Sequence, residues 1–397
     1  MSYFIKRKLV GKNAFLDSLT RESGSLYTKT LVFFWRTVRK KNIWLKPKSL
    51  MRIFSSENIH AHPADASVQA FFQALSSWRE HRKSDPDSNP PTKLRKFYPI
   101  TWKSSAIRLK DGKLILSNGK NQVALMLKNW KYDIPKICML RYTGKEYEMI
   151  FTYQFEPVQV QIETENVVAV DLGIINFAAC SNGLMYNGRL LRSFRQWKDK
   201  KLADFQSLIA KTTKNSRRNK HLRKQKAKFL VRFNNKVKDI LHKYTTGLVL
   251  TQKNSGVNTL VVGDLSGYRK DKDDGHTRNQ ENHQWVYGIT TFMLRYKSEK
   301  RGMMFKLQEE SYTSITCPNC FREHKCKGRN FKCPYCGYEA HRDMVGSTNI
   351  LSKYRGFFGT HVVPVMAPGL CVRFHANARV TNKLYPKRLQ LLEAAGF

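Results

Sequence analysis

The sequence predicts a multidomain chain, α+β in its first part and α/β in its second, and three observations carry that expectation. Between Lys93 and Phe155 short alternating segments are separated by the turn dipeptides Asp111-Gly112 and Asn118-Gly119. From Val167 onward, short apolar runs alternate with longer helical patterns. Further on, Cys317-Pro318-Asn319-Cys320 and Cys333-Pro334-Tyr335-Cys336 are paired Cys-x-x-Cys knuckles, the mark of a small metal-bound module. The 397 residues leave room for several domains, and 41% apolar with 12% aromatic residues is ample for buried cores.

From about Lys12 to Lys83 the periodicity is helical: Leu31, Phe33, Phe34 and Val38, then Val68, Phe71, Phe72, Leu75 and Trp78, recur at helical spacings. Ser84 to Pro91 is a loop by composition. The alternating segments after it, such as Ala106–Leu109 and Lys113–Leu116, read as a small antiparallel barrel or sheet. Val167–Val170 is a short buried strand that opens the second domain. A helical stretch from about Trp197 to Gln252 and a strand Thr259–Val262 come next. Then follow a helix from Val286 to Lys300, a strand from Met303 to Leu307, the cysteine region and a helix from Val345 to Tyr354. The tail after Gly359 is basic and without pattern.

Charge sets the class of partner. Seventy-one Lys and Arg stand against 30 acids, a net charge of +41. Self-repulsion on that scale calls for a polyanion, which argues against a small-molecule enzyme and for nucleic acid. Between Lys198 and Lys243 there are sixteen basic residues and three acids, densest at Arg217, Arg218, Lys220, Arg223, Lys224 and Lys226. A merely solvated face would mix signs at i,i+4; here the pattern favours two antiparallel helices whose outer face tracks phosphate. No run reaches the roughly 18 apolar residues that cross a bilayer, and Met1–Lys8 lacks a signal-peptide core, so a soluble intracellular protein is expected.

Three features carry chemistry. Two residues between thiolates let one tight turn aim both sulfurs at one ion, so Cys317, Cys320, Cys333 and Cys336 form a closed Cys₄ site for one structural Zn²⁺. Cys326 and His324 lie in the connecting loop, but the knuckles already complete the set. Cys138, Cys180 and Cys371 read as buried apolar residues. Asp171 follows the strand Val167–Val170 and precedes Leu172-Gly173; it fits a Mg²⁺ ligand, though an Asp there is often just a turn or cap residue. Asp343 precedes an apolar helix and fits a second ligand, or an N-cap. Together, in so basic a chain, they point to metal-dependent phosphodiester chemistry.

In this order the segments resemble the TnpB family of transposon-associated RNA-guided DNA nucleases, related to type V CRISPR effectors and Fanzor proteins. Val168-Ala169-Val170-Asp171-Leu172-Gly173 is similar to its first RuvC-type segment, and Val261-Val262-Gly263-Asp264-Leu265 to its second. Asn279-Gln280 with His283 and Trp285 matches the helix after that. Tyr312-Thr313-Ser314 before Cys317 is a further signature, and His341-Arg342-Asp343 with Asn349-Ile350-Leu351 is the third segment. Upstream, Ile59-His60-Ala61-His62-Pro63-Ala64 and the hairpins are similar to its recognition helices and wedge barrel. Two positions depart from the family: Gly263 stands where a Glu is familiar, and Val345 where Asn is frequent.

The resemblance implies an RNase H-like (RuvC-type) nuclease domain with a helical insertion and a Cys₄ zinc ribbon, preceded by a β-barrel wedge and a helical recognition region. It divides the chain into a first wedge strand (1–11), recognition region (12–92), wedge (93–165), nuclease domain (166–314, insertion about 197–252), ribbon (315–339), last nuclease segment (340–356) and basic tail (357–397). It implies an RNA-guided, Mg²⁺-dependent DNA endonuclease with two catalytic ions, whose partners are a guide RNA and a target DNA bearing an adjacent motif. No membrane is involved; a monomer in a prokaryotic cytoplasm, on the nucleoid, is expected. The rivals are a nuclease-inactive RNA-guided repressor, motivated by Gly263, and a transposase. For an intact nuclease the third carboxylate must come from elsewhere. Asp264 faces the wrong way on a strand, whereas some similar sequences pair Gly-Asp-Leu with a Glu two residues before the signature Tyr, here Glu310. The catalytic and Mg²⁺-binding set is then Asp171, Glu310 and Asp343; the alternative is a solvated turn glutamate, with Glu309 as control.

Overall fold

The computed structural model describes residues 2–144, 146–156, 165–265, 273, 275, 279–281, 285–326, 328–367 and 369–372. His283, and the tail from 373 onward, lie outside the described residues. Two compact units result, Met1–Phe155 and Glu156–Phe397. No helix among the described residues is long and apolar enough to cross a membrane.

The first unit opens with strand β1 (Ser2–Val10) and three helices, α1 (Ala14–Lys41), α2 (Pro47–Ile53) and α3 (Ala61–Ser84). Asn13 starts α1 by accepting from Leu16 N at 2.8 Å, and Arg39, Lys40 and Lys41 sit on its negative end. Tyr27, Leu31 and Phe34 of α1 pack against Val68, Phe71 and Leu75 of α3. Strands β2 (Ile100–Lys103), β3 (Ile107–Lys110), β4 (Lys113–Leu116), β5 (Leu125–Leu127), β6 (Ile137–Tyr142) and β7 (Tyr147–Phe155) follow. The antiparallel pairing is organised as two sheets, β1-β7-β6-β2 and β3-β4-β5, which share a core around Trp102, Leu114, Tyr147 and Phe151. Among the described residues no ladder closes them into one barrel. Asp111-Gly112 makes the expected tight turn, both residues at positive φ. Asn118-Gly119 does not: buried Asn118 accepts from the Trp102 indole at 3.2 Å and donates to Val123 O at 2.7 Å, bracing a longer connection.

The second unit is built on one six-stranded sheet. Its strands are β8 (Val167–Asp171), β9 (Asn176–Cys180), β10 (Leu184–Asn187), β11 (Thr259–Asp264), β12 (Met304–Glu309) and β15 (Leu370–Val372), in the order β12-β11-β8-β9-β10-β15. The two intervening strands, β13 (Asn330–Lys332) and β14 (Glu339–His341), form the ribbon's hairpin. β8, β11 and β12 are parallel, whereas β9 runs antiparallel to β8 and to β10. Its described helices include α4 (Arg189–Ala210), α5 (Arg217–Asn254), α6 (Tyr287–Glu299) and α7 (Arg342–Tyr354). Strand alternation divides it in two: Val168, Val170, Leu260 and Val262 face the large core with α5 and α6, while Val167, Ala169 and Val261 face Ile350 and Leu351 of α7.

Several expectations need correction. The hairpin β9–β10 and the edge strand β15 escape a reading that passes from Val170 directly to a helix and leaves the tail without structure. The helical stretch starts at Arg189 rather than Trp197, because its first turns bury Leu191 and pack Leu190 and Phe194 on the core. Strand β12 continues to Glu309, beyond Leu307, and α7 begins at Arg342.

Candidate metal and nucleic-acid sites

Parallel strands end on the same side of a sheet, so the ends of β8 and β11 and the turn after β12 share one edge. Asp171 closes β8 on the face that packs on α7, with its Oδ2 only 2.7 Å from where a Cβ on Gly346 would stand. Glycine at 346 is what lets a carboxylate lie against that helix. Position 263 repeats the arrangement. A Cβ there would collide with the carboxylate of Glu310 and stand 3.0 Å from Ile350 Cδ1. Glu310 thus reaches from the turn after β12 into the space a side chain at 263 would begin to fill.

Asp343 sits in the first turn of α7 and is not its N-cap; that role belongs to His341, whose Nδ1 accepts from Asp343 N at 3.2 Å. The freed carboxylate accepts from Asn176 Nδ2 at 2.7 Å and from Arg329 at 2.9 Å. The Asp171 pKa is raised well above the usual carboxylate value, first by burial and then by repulsion from Glu310 and Asp343; Arg342 and Arg329 offset part of this. Buried Asp171 thus lies within reach of the charges of both Glu310 and Asp343.

Their neighbours point elsewhere. Asp264 continues the regular β11–β12 ladder opposite Glu309, with no bulge to turn it. Its Oδ1 lies 3.3 Å from the hydroxyl of Tyr287 on α6, on the other face of the sheet. Glu309 is exposed; it accepts from Lys353 Nζ at 2.6 Å and Ser311 N at 2.6 Å, and these bonds hold its pKa down at about 2. Beside Asp343 opens a cleft of about 650 Å³ whose walls include Asn187, Arg189, Arg192, Gln196 and Arg329. Asn176 and Arg329 escape sequence reading: one lies on an unrecognised strand, the other in a loop of the ribbon, and neither belongs to a motif. The only signal near Asn176 is the Asn182-Gly183 turn dipeptide that closes its hairpin.

The four knuckle sulfurs lie within 4.8 Å of one another, with Cys317–Cys336 at 3.6 Å and Cys320–Cys333 at 3.5 Å. That spacing is what tetrahedral thiolate coordination of zinc requires, since sulfurs 2.3 Å from a common centre stand roughly 3.8 Å apart. Cys326 instead sits 3.8 Å from Lys332 O. Cys138 and Cys180 are buried.

On the helical hairpin, the rings of Trp197 and Phe205 on α4 pack against Phe229 on α5. Ser216 caps α5 by accepting from Asn219 N, and buried Asn219 in turn accepts from Arg223 Nε at 2.9 Å. Arg217, Arg218, Lys220, Arg223 and Lys224 are exposed, and Lys226 partly so. The hairpin's three acids pair with Lys198, Lys201 and Lys243, so among the described residues none of these six basic side chains meets a carboxylate.

Comparison with known proteins agrees with this architecture. The model of the "Cas12f1-like, TNB domain" family matches residues 287–350, and that of the "Probable transposase" family OrfB_IS605 matches residues 150–269. A CRISPR-associated endodeoxyribonuclease Cas12f1 of Sulfoacidibacillus thermotolerans is 24% identical over 211 residues, covering 50% of this chain and 48% of its own. A "Putative RNA-guided DNA endonuclease InsQ" of Escherichia coli (strain K12) is 26% identical over 267 residues, covering 58% and 63%. The chain thus spans about half to three-fifths of the curated relatives it matches. Among solved structures, a Cas12f1–sgRNA–target DNA complex superposes with a TM-score of 0.56 at 13% identity, over 85% of this chain and 82% of that one; the likeness is one of fold.

Proposed function

We propose that the chain is a member of the TnpB family, a reading supported by its matches to the Cas12f1-like TNB and OrfB_IS605 models and to InsQ, and that it is an RNA-guided, Mg²⁺-dependent DNA endonuclease. The observation that carries the reading is Glu310: its carboxylate takes the space above Gly263, beside Asp171 and Asp343. The strand order, with three antiparallel strands followed by two parallel ones, supports an RNase H-like reading of the domain. Asp171, Glu310 and Asp343 would hold Mg²⁺, and partly buried carboxylates are the hard oxygen donors that ion prefers. Bound there, Mg²⁺ supplies charge neutralisation and activation of water for in-line attack on a phosphodiester. Asn176 and Arg329 orient Asp343. The cleft lined by Arg189 and Arg192 draws in the scissile strand. The exposed face of α5 holds phosphates of a guide RNA or its heteroduplex, and base pairing supplies sequence choice.

The first unit is assigned the recognition helices and wedge that read a motif beside the target, and the four cysteines one structural zinc. The protein works on DNA in a prokaryotic cytoplasm. A repressor reading rests on a missing third acid, and the carboxylate of Glu310 over Gly263 weighs against it. A transposase is disfavoured by a ribbon inserted between the second and third catalytic segments. Guide-programmed plasmid cleavage in Mg²⁺ tests the proposal: wild type, Glu309→Ala and Asp264→Ala should cut at similar rates, while Glu310→Ala should cut far more slowly. Target binding without cutting by wild type would install the repressor in its place.

A further inference from the structure

Glu310 does not lie within a strand; it is the first residue of a turn that has to be held. Thr313 closes that turn by donating its N–H (3.2 Å) and its hydroxyl (2.8 Å) to Glu310 O. Thr316 closes the next by donating its N–H (3.0 Å) and hydroxyl (2.9 Å) to Tyr312 O. Between them Tyr312 takes a left-handed backbone at φ 65°, a conformation that persists only where its surroundings impose it. The imposition comes from α7. Buried Asn349 spends both amide hydrogens on this segment, one on Thr313 O and one on Thr316 O, each at 2.8 Å. One turn further on, Lys353 Nζ donates to Ser311 O and to Glu309 Oε2, both at 2.6 Å. Asp343, Gly346, Asn349 and Lys353 recur at three and four residues, so one stripe of one helix carries an acid, accommodates a second and grips the turn bearing the third.

We propose that Asn349 and Lys353 are positioning residues for Glu310. Asn349 fixes the turn so that the Glu310 carboxylate enters the space over Gly263. Lys353 binds the adjacent Glu309 and keeps it out of that space, so it selects which of two neighbouring glutamates faces Asp171. The inference rests on the reading of Glu310 as the third metal-holding acid.

The test uses the full chain loaded with guide RNA and Mn²⁺ as a paramagnetic stand-in for Mg²⁺. Bound Mn²⁺ is counted by EPR in wild type, Glu310→Ala, Asn349→Leu (similar volume, no donors) and Lys353→Met. Hydrogen exchange is followed on the peptide spanning 310–316. Asn349→Leu should raise the half-saturating Mn²⁺ concentration roughly 10- to 100-fold, the range for losing an outer-shell partner, with a smaller rise for Lys353→Met. Exchange in the turn should quicken, kcat should fall, and KM for target and guide affinity should stay at wild-type values. If Asn349→Leu loses its fold, Lys353→Met, altered at a largely solvent-side bond, still reports. Wild-type Mn²⁺ titration and exchange in both variants would overturn the positioning role while leaving Glu310 in place. Mn²⁺ binding indifferent to Glu310→Ala would overturn the reading of the site and the inference with it.

Discussion

The ribbon and the acidic edge are both clusters of would-be metal ligands, yet they are assembled in opposite ways. Four sulfurs come from two short turns a dozen residues apart, and their convergence depends on little beyond those turns. Three carboxylates come from the end of a strand, a turn and the first turn of a helix, and they converge only because a sheet and α7 bring them together. The first site should therefore depend on its ion for folding, and the second on its fold for binding the ion. Local ligands make a site that metal builds; distant ligands make one that packing builds.

The largest effect expected from that difference is at the ribbon. Structural zinc contributes about 10–16 kcal/mol of apparent binding free energy, so Cys333→Ser should lose zinc by metal analysis and fail as a soluble protein before it fails as a catalyst. Asp171→Asn should stay folded with its zinc retained; if it unfolds as Cys333→Ser does, the contrast collapses.

Next is an exchange between strands. Glu310→Ala should lower cleavage by roughly 10²–10³-fold. Gly263→Glu alone should also lose activity, because two side chains compete for one volume. The double variant Gly263→Glu with Glu310→Ala should recover most of the rate, since a carboxylate returns to the same place. A double variant as dead as Glu310→Ala would show that the turn supplies more than a carboxylate.

A smaller change is expected at Asn176, which donates to Asp343: Asn176→Ala should cost about 10- to 100-fold in cleavage and raise the Mg²⁺ requirement, read from titrations at fixed target. The mildest effect belongs to the α5 face. Replacing Arg217, Arg218, Arg223 and Lys224 by Ala should leave metal content and thermal unfolding unchanged. It should reduce the log–log salt slope of nucleic-acid binding by roughly 0.7–0.9 per lost phosphate contact. An unaltered slope would mark that face as merely solvated.

The same contrast explains what the sequence makes legible. The knuckles are readable because residue spacing alone encodes their geometry. Asp171 and Asp343 are readable as candidates because each lies at the end of a strong local pattern. Glu310 needs a further step, namely that the strand after a helix pairs beside the strand that lacks the acid, and that pairing is the one observed. Asn176 and Arg329 are invisible in one dimension, since their meaning is a contact with Asp343 across more than a hundred residues or across the ribbon's turn. The hairpin β9–β10 is hidden because β9, buried along its whole length, lacks the alternation that marks a strand with one wet face. Strand β15 is only three residues long and takes its place from pairing with β10.

The crowding over Gly263 has a historical consequence. Substitutions at 263 and 310 do not commute: from the present chain, even alanine at 263 meets the Glu310 carboxylate and Ile350 before it can contribute anything. A lineage that gained a glutamate on β11 first would pass through a collision, and one that lost Glu310 first would pass through a two-acid protein. Both routes are expected to pass through a variant of low cleavage activity. Residues 263 and 310 are therefore expected to change together rather than singly, a coupling imposed by the volume they share.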